Sequence, residues 1–294
     1  MRIGGFELRD PVPACNEPYV LATLRPWIDV NNVGSLILNE LEARFGATEL
    51  GKLSKPGNFY DFTRYRPTIH LEEGIRDLSI PNTTIHYARR EGQNDLFLLR
   101  LLEPHAHAEL YISSVLKLLK TFKARKYILL GSMYDTVPHT RPLLVSGYGM
   151  GKEALEDVRK AGALPITYHG PSTIANLITK EAAESGIEAI VFIVSLPQYV
   201  VLEEDYLGKV RLMELLNMLY NIPVDKEDFE KALEQRNLIS ERVENTPEVK
   251  IFLPQLESGY DMRIKAMEAE GTPRLTSEME EIFWNIMGKD IGKA

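Results

Sequence analysis

Residues 96–130, LFLLRLLEPHAHAELYISSVLKLLKTFKARKYILL, decide the fold. The runs Leu96 to Leu102 and Tyr127 to Leu130 are too short for buried helices and too uniformly apolar for half-exposed strands, so both read as strands buried on two faces. Between them Tyr111, Val115, Leu118, Leu119 and Phe122 fall at i, i+4, i+7, i+8 and i+11, the stripe of an amphipathic helix. Strand, helix and strand in that order make a βαβ unit with parallel strands.

The same alternation extends outward in both directions. Upstream, Tyr19 to Leu24 reads as a strand. It is followed by a helix over 32–45 with Val33, Ile37, Leu41 and Phe45 on one face and Gly46 as its C-terminal cap. Downstream, Ile174, Leu177, Ile178 and Ala182 form a helical face before Gly186, and Ala189 to Val194 is the next buried strand. Short β-like stretches between Thr68 and Arg90, broken at Glu73-Gly74 and Pro81-Asn82, predict antiparallel strands beside the parallel ones. A mostly parallel, mixed sheet is therefore expected.

From about Asp205 the strand signals stop, while Leu212, Leu215, Leu216 and Leu219 outline a helix. Val249, Phe252, Leu253 and Leu256 outline another, which Pro254 is expected to kink or end. The expected organisation is an α/β domain over 1–204 with a helical part over 205–294 packed on it.

Composition narrows the function classes. Forty-two acidic against 34 basic residues leave a net charge of -8, which argues against nucleic acid or an anionic membrane as partner. Cys15 is the only cysteine, which excludes an intrachain disulfide and any multi-thiolate zinc site and fits a reducing compartment. Met1 to Asp10 lacks the basic start and apolar stretch of a secretory signal, and no apolar run reaches spanning length. A cytoplasmic protein whose mature chain begins at Met1 is the expectation.

In open α/β sheets, ligands bind beyond the carboxyl ends of the strands. Asp29 follows the first run, Glu103-Pro104 the second, Val137 to Pro142 the third and Pro197-Gln198-Tyr199 the fourth. Tyr168-His169-Gly170-Pro171 follows a short run at Leu164 to Thr167, opens the next helix and is expected at the same edge. The candidate cleft residues are thus Asp29, Asp61, Arg66, Glu103, His139, Thr140, Arg141, Tyr168, His169, Gly170 and Tyr199.

These loops carry a family resemblance. Pro26-Trp27-Ile28-Asp29 with Gly34, Asp61-Phe62, Arg66-Pro67, Glu103-Pro104, Gly131, Pro138-His139-Thr140-Arg141-Pro142, Tyr168-His169-Gly170-Pro171 and Pro197-Gln198-Tyr199 resemble, in order, the signatures of the proteasome assembly chaperone two family. The resemblance spans about Tyr19 to Tyr199. It implies a three-layer α/β/α sandwich of phosphorylase/hydrolase-like fold, a helical C-terminal part, self-association and a protein partner, proteasome-like or another complex. It implies no settled reaction: some members assist proteasome assembly and many have no established role. Gln198 stands where members often have His, and the end Gly292-Lys293-Ala294 departs from the hydrophobic-Tyr-any terminus that some use to dock on a proteasome ring.

No catalytic or cofactor motif is complete, and no cofactor is expected. Ser132, Asp135 and His139 could suggest a hydrolase, but Tyr134 departs from a Gly-x-Ser-x-Gly elbow. With Pro104 as the first helical residue, His105 and His107 would point about 200° apart and could not share a metal. Gly147 to Lys152 misses both the phosphate-loop and dinucleotide patterns. The aromatic-basic stretch Phe59 to Arg66 is expected to pack against the core or another subunit rather than bind nucleic acid. His139 and Arg141 could hold an anion, but Arg141 is expected to pair with Asp29, Asp61 or Glu103, because a partly buried guanidinium needs a counter-charge. The remaining alternative is a small-ligand binder or enzyme using the strand-end cleft.

Overall fold

The computed structural model describes residues 1–72, 75–166, 168 and 170–269. The sequence-predicted break at Glu73-Gly74 and the terminus Gly292 to Ala294 lie outside the described residues.

The strands in chain order are β1 (Arg2–Ile3), β2 (Phe6–Leu8), β3 (Tyr19–Arg25), β4 (Thr48–Leu53), β5 (Thr68–Glu72), β6 (Ile75–Ser79), β7 (Thr84–Ala88), β8 (Leu96–Leu102), β9 (Lys126–Asp135), β10 (Val145–Met150), β11 (Leu164–Pro165) and β12 (Glu188–Pro197). The helices are α1 (Val33–Phe45), α2 (Ala108–Thr121), α3 (Lys152–Lys160), α4 (Ile174–Glu184), α5 (Tyr206–Tyr220), α6 (Lys226–Glu244) and α7 (Pro247–Ala269). Ten strands form one sheet in the order β1-β2-β4-β7-β8-β3-β9-β12-β10-β11, and β5 with β6 forms a separate hairpin.

The centre of the sheet is the parallel block β8-β3-β9-β12. Its strands are the apolar runs of the sequence, and Val20, Leu21, Ala22, Leu96, Leu98, Ile128, Ile190 and Phe192 are fully buried. The wings correct the expectation of a mostly parallel sheet. Antiparallel pairings outnumber parallel ones five to four, because β1, β2, β4 and β7 join by antiparallel neighbours and β10 runs against β12. The β8-α2-β9 crossover passes over β3, which lies between the two strands.

Helices cover both faces. On one face α2 and α4 bury Tyr111, Val115, Leu118, Leu119, Ile174 and Ile178 against the sheet. On the other, α1, α3 and α5 contribute Ile37, Leu41, Ala154, Leu212, Met213 and Leu216. Gly46 ends α1 at φ 58 and donates its N–H to the Glu42 carbonyl, as a left-handed cap should.

One local expectation fails and another is narrowed. The helix after β8 begins at Ala108, not at Pro104, because His107 turns left-handed (φ 55) immediately before it, so His105 and His107 sit in the loop. Helix α7 continues through Pro254 from Pro247 to Ala269. A proline inside a helix removes one internal hydrogen bond. Here the packing of the following turns, where Tyr260 is buried with Val137, Leu144 and Leu164, holds the helix in register.

Candidate functional site

The parallel block places the carboxyl ends of β3, β8, β9 and β12 on one edge, and the candidate residues that follow those strands gather there in two separate groups.

The first group lies beyond β9 and β12. The His139 ring Nδ1 and the Tyr199 hydroxyl are 2.8 Å apart, and the Tyr199 oxygen also accepts the His139 backbone N–H at 2.7 Å. The hydroxyl carries one O–H and two lone pairs, so it can hold the ring through Nδ1 in either tautomer while it accepts the backbone N–H. Burial lowers the His139 pKa, the nearby Arg236 guanidinium lowers it further, and Glu257 opposes them weakly. Thr140 Oγ1 donates to Glu257 at 2.5 Å. Arg141 donates to Glu257 at 3.2 Å and, with two nitrogens, to Asp261 at 3.3 and 3.4 Å.

Arg141 therefore does find carboxylates, but not the expected ones. Asp29, Asp61 and Glu103 are committed elsewhere, and the neutralising acids come from α7, which lies over this loop. Arg263 of the same helix reaches Asp135 at 2.9 Å. Burial would raise the Asp135 pKa, but the Arg263 bond and charge, with the Thr136 N–H and the Ser195 hydroxyl, hold it below the usual value.

The second group lies beyond β3 and β8. Asp29 is buried at the start of α1, where its carboxylate accepts from the Gly34 N–H at 2.6 Å and from the Ser35 N–H and hydroxyl. A carboxylate here complements the partial positive charge of the helix start. Gly34 is required by the same packing, since a Cβ there would lie 2.5 Å from Thr23 Oγ1 and 3.1 Å from the Asp29 carboxylate. Glu103 plays the matching role at α4, accepting from the Ile174 N–H at 3.0 Å, and burial raises its pKa against that bond.

Asp61 is exposed and folds back on Thr63, accepting from its N–H at 2.8 Å and its hydroxyl at 2.7 Å, which lowers its pKa. Its own N–H donates to His105 Nδ1 at 3.1 Å. Strand β11 runs against the central block, through its pairing with β10, so the segment after it heads away from the shared edge before returning to it at Ile174. Tyr168 is exposed and bonds the Pro171 carbonyl at 3.1 Å, Gly170 lies against its ring, and His169 lies outside the described residues.

Beside this second group a cleft of about 650 Å³ opens between the β3 and β8 ends and the β5-β6 hairpin. Asp29 and Arg66 line it, together with Arg25, Asn32, Tyr65 and Arg100, which were not among the candidate cleft residues. Arg25 is the last residue of β3 and Arg100 the one charge in the run 96–102, so both carried a signal. The triad reading finds no geometry: Ser132 Oγ donates to the Val30 carbonyl at 2.6 Å, Asp135 is held by Ser195 and Arg263, and His139 by Tyr199.

A sequence profile of the PAC2 family, the proteasome assembly chaperone two family, matches residues 23–243. The chain belongs to the PAC2 family. The match runs from β3 through nearly all of α6 and stops short of α7. No curated protein matches this PAC2 chain significantly. Among solved structures, a Mycobacterium tuberculosis protein of unknown function is 23% identical, with 92% of this chain and 93% of that one covered and a TM-score of 0.78. A proteasome-assembly chaperone homologue, also from Mycobacterium tuberculosis, is 22% identical over 80% of this chain and 99% of that one, with a TM-score of 0.71. An archaeal proteasome activator from Pyrococcus furiosus is 15% identical over 82% and 99%, with a TM-score of 0.60. At these identities the likeness establishes a shared fold. Among the described residues no helix is long and apolar enough to cross a membrane.

Proposed function

We propose that this PAC2 chain is a cytoplasmic interaction or assembly factor that works as a homo-oligomer and engages a protein partner, with the sandwich over 1–204 and the helices from 205 acting together. The observation that carries this reading is the β5-β6 hairpin. Ile69 and Leu78 stand opposite each other, Leu71 follows on the same face and Ile80 extends it, and the four are exposed by 57, 54, 69 and 48%. A two-stranded hairpin is marginal on its own. Four exposed branched aliphatics on one face gain most by burial against a second copy. Relatives named as a proteasome-assembly chaperone homologue and as a proteasome activator support protein-directed work of this kind.

Mass photometry across a dilution series tests the reading. The native chain is expected to associate, and the double variant L71D/L78D to dissociate at least about tenfold more readily, since each buried Leu contributes about 1.5–3 kcal/mol. A native chain that stays monomeric and recovers no protein in a tagged pulldown would end it.

A second reading, ligand binding at the strand ends, is favoured by the cleft between the β3 and β8 ends and the hairpin. Such crevices are where open α/β sheets take small molecules.

A further inference from the structure

Three arginines and one carboxylate line the cleft in a chain whose net charge is -8. The carboxylate is spent. Asp29 holds the Gly34 N–H and both donors of Ser35, so it does not neutralise the cleft's cations by direct contact. Arg100 is satisfied by Glu42 at 2.8 Å and by Asn39 at 2.8 Å.

Arg25 and Arg66 differ from it. Among the described residues neither guanidinium is in a hydrogen bond or an ion pair; the same holds for the exposed Arg89, Arg159 and Arg242, but Arg25 and Arg66 line one cleft together. Arg25 ends the central strand β3, so its Cα is held by pairing with β8, and Tyr65 stands close enough for its guanidinium to act on the phenol. Pro26, Ile80, Pro81 and Leu102 give the same cleft apolar walls.

We propose that the cleft between the β3 and β8 ends and the hairpin binds a small organic oxyanion, a phosphate monoester or a carboxylate, with Arg25 and Arg66 as its two charge partners and the apolar walls against its organic body. A guanidinium offers a planar fork that matches either group, and the pair lines the cleft from a strand end and a loop. The volume suits a ligand of nucleotide or dicarboxylate size. This inference rests on the second reading above and adds the ligand's chemical class.

Isothermal titration with inorganic phosphate, adenosine monophosphate, succinate and uncharged adenosine tests it, on the native chain and on R25Q, R66Q and the double variant. The expected result is binding of at least one anion, weakened about tenfold or more by each single change, with unliganded melting temperature and oligomer mass unchanged. R9Q, a change at an exposed arginine outside the cleft, is expected to bind as the native chain does. Anion binding that survives in the double variant, or binding of adenosine with no anion bound, overturns the oxyanion assignment while leaving ligand binding at this edge intact. If none of the four binds at millimolar concentration, the assignment falls together with the ligand-binding reading. A variant with lowered melting temperature is replaced by R25K or R66K, where the retained charge without the fork is expected to weaken binding but not abolish it.

Discussion

Beyond β9 and β12, helix α7 covers the loop and supplies two carboxylates to Arg141; beyond β3 and β8, the same sheet edge opens on a cleft where Arg25 and Arg66 have no described acid. Both halves begin from identical architecture, parallel strands ending in proline-bearing loops. They differ in what the chain itself lays over them. A constrained arginine near a strand end is therefore not a binding residue by type or position. It becomes a candidate when it lines a cleft and the rest of the fold leaves its charge unanswered, and by that measure Arg141 belongs to the framework.

Three measurements can break or sharpen this contrast. The largest effect is expected at Asp29, the residue that frames the open half without facing a ligand. Asp29→Ala leaves the Gly34 and Ser35 donors without their acceptor in a buried site and should cost about 2 kcal/mol in urea unfolding, with an unchanged m-value. A loss below about 0.5 kcal/mol would make Asp29 dispensable to the frame and return it to the list of candidate ligand contacts.

A smaller, local effect is expected on the covered half. Arg141 keeps a third of its side chain exposed, so its ion pairs are discounted for screening, and Arg141→Gln should cost about 0.5–1 kcal/mol. The loss should be read as faster hydrogen exchange along α7, with the amides of β9 and β12 unmoved. If the sheet amides loosen equally, α7 is an integral part of the core rather than a cover.

The smallest effect is a pH dependence that the covered half adds to the one from His86 on β7, whose pKa burial also lowers, so it is read as a difference between two proteins. Burial lowers the folded-state pKa of His139 below its ordinary value of 6.5, so the unfolded chain takes up the proton first. The stability owed to the neutral ring is complete above about pH 6.5 and is lost as the pH falls from there towards the folded-state value. Urea midpoints between pH 7.5 and 5.5 should decline in the native chain more steeply than in His139→Gln. Asp135, whose folded pKa is also lowered, adds its own loss only as the pH falls below its ordinary 3.8. Parallel curves for the two proteins would remove His139 from the account.

What the sequence made legible follows from the range of the interactions involved. The parallel block was readable because Leu96 to Leu102 and Tyr127 to Leu130 are buried on both faces, and α1, α2 and α4 because their apolar stripes keep helical spacing. The antiparallel wing was harder: β4, Thr48–Leu53, mixes Thr, Glu, Gly and Lys with two leucines and owes its place to pairing with β2 and β7. The division of the candidate site was not legible at all. Arg141 meets Glu257 and Asp261 across 116 and 120 residues, and nothing in the spacing of either segment signals the other. Local pattern likewise left a kink or an end open at Pro254, and the helix does not end there: it runs on through Tyr260, which is buried six residues later.

The ten-stranded sheet ends at both margins in strands of only two residues, Arg2–Ile3 and Leu164–Pro165, and the second closes on a proline with no amide to offer. Margins that short give an incoming chain almost no backbone to zip onto. The hairpin is the opposite: β5 and β6 are five residues each, and among the described residues each pairs with the other alone, which leaves its second side without a described strand. The outermost strands thus offer little backbone for strand addition, whereas the hairpin presents two unpaired edges of five residues each.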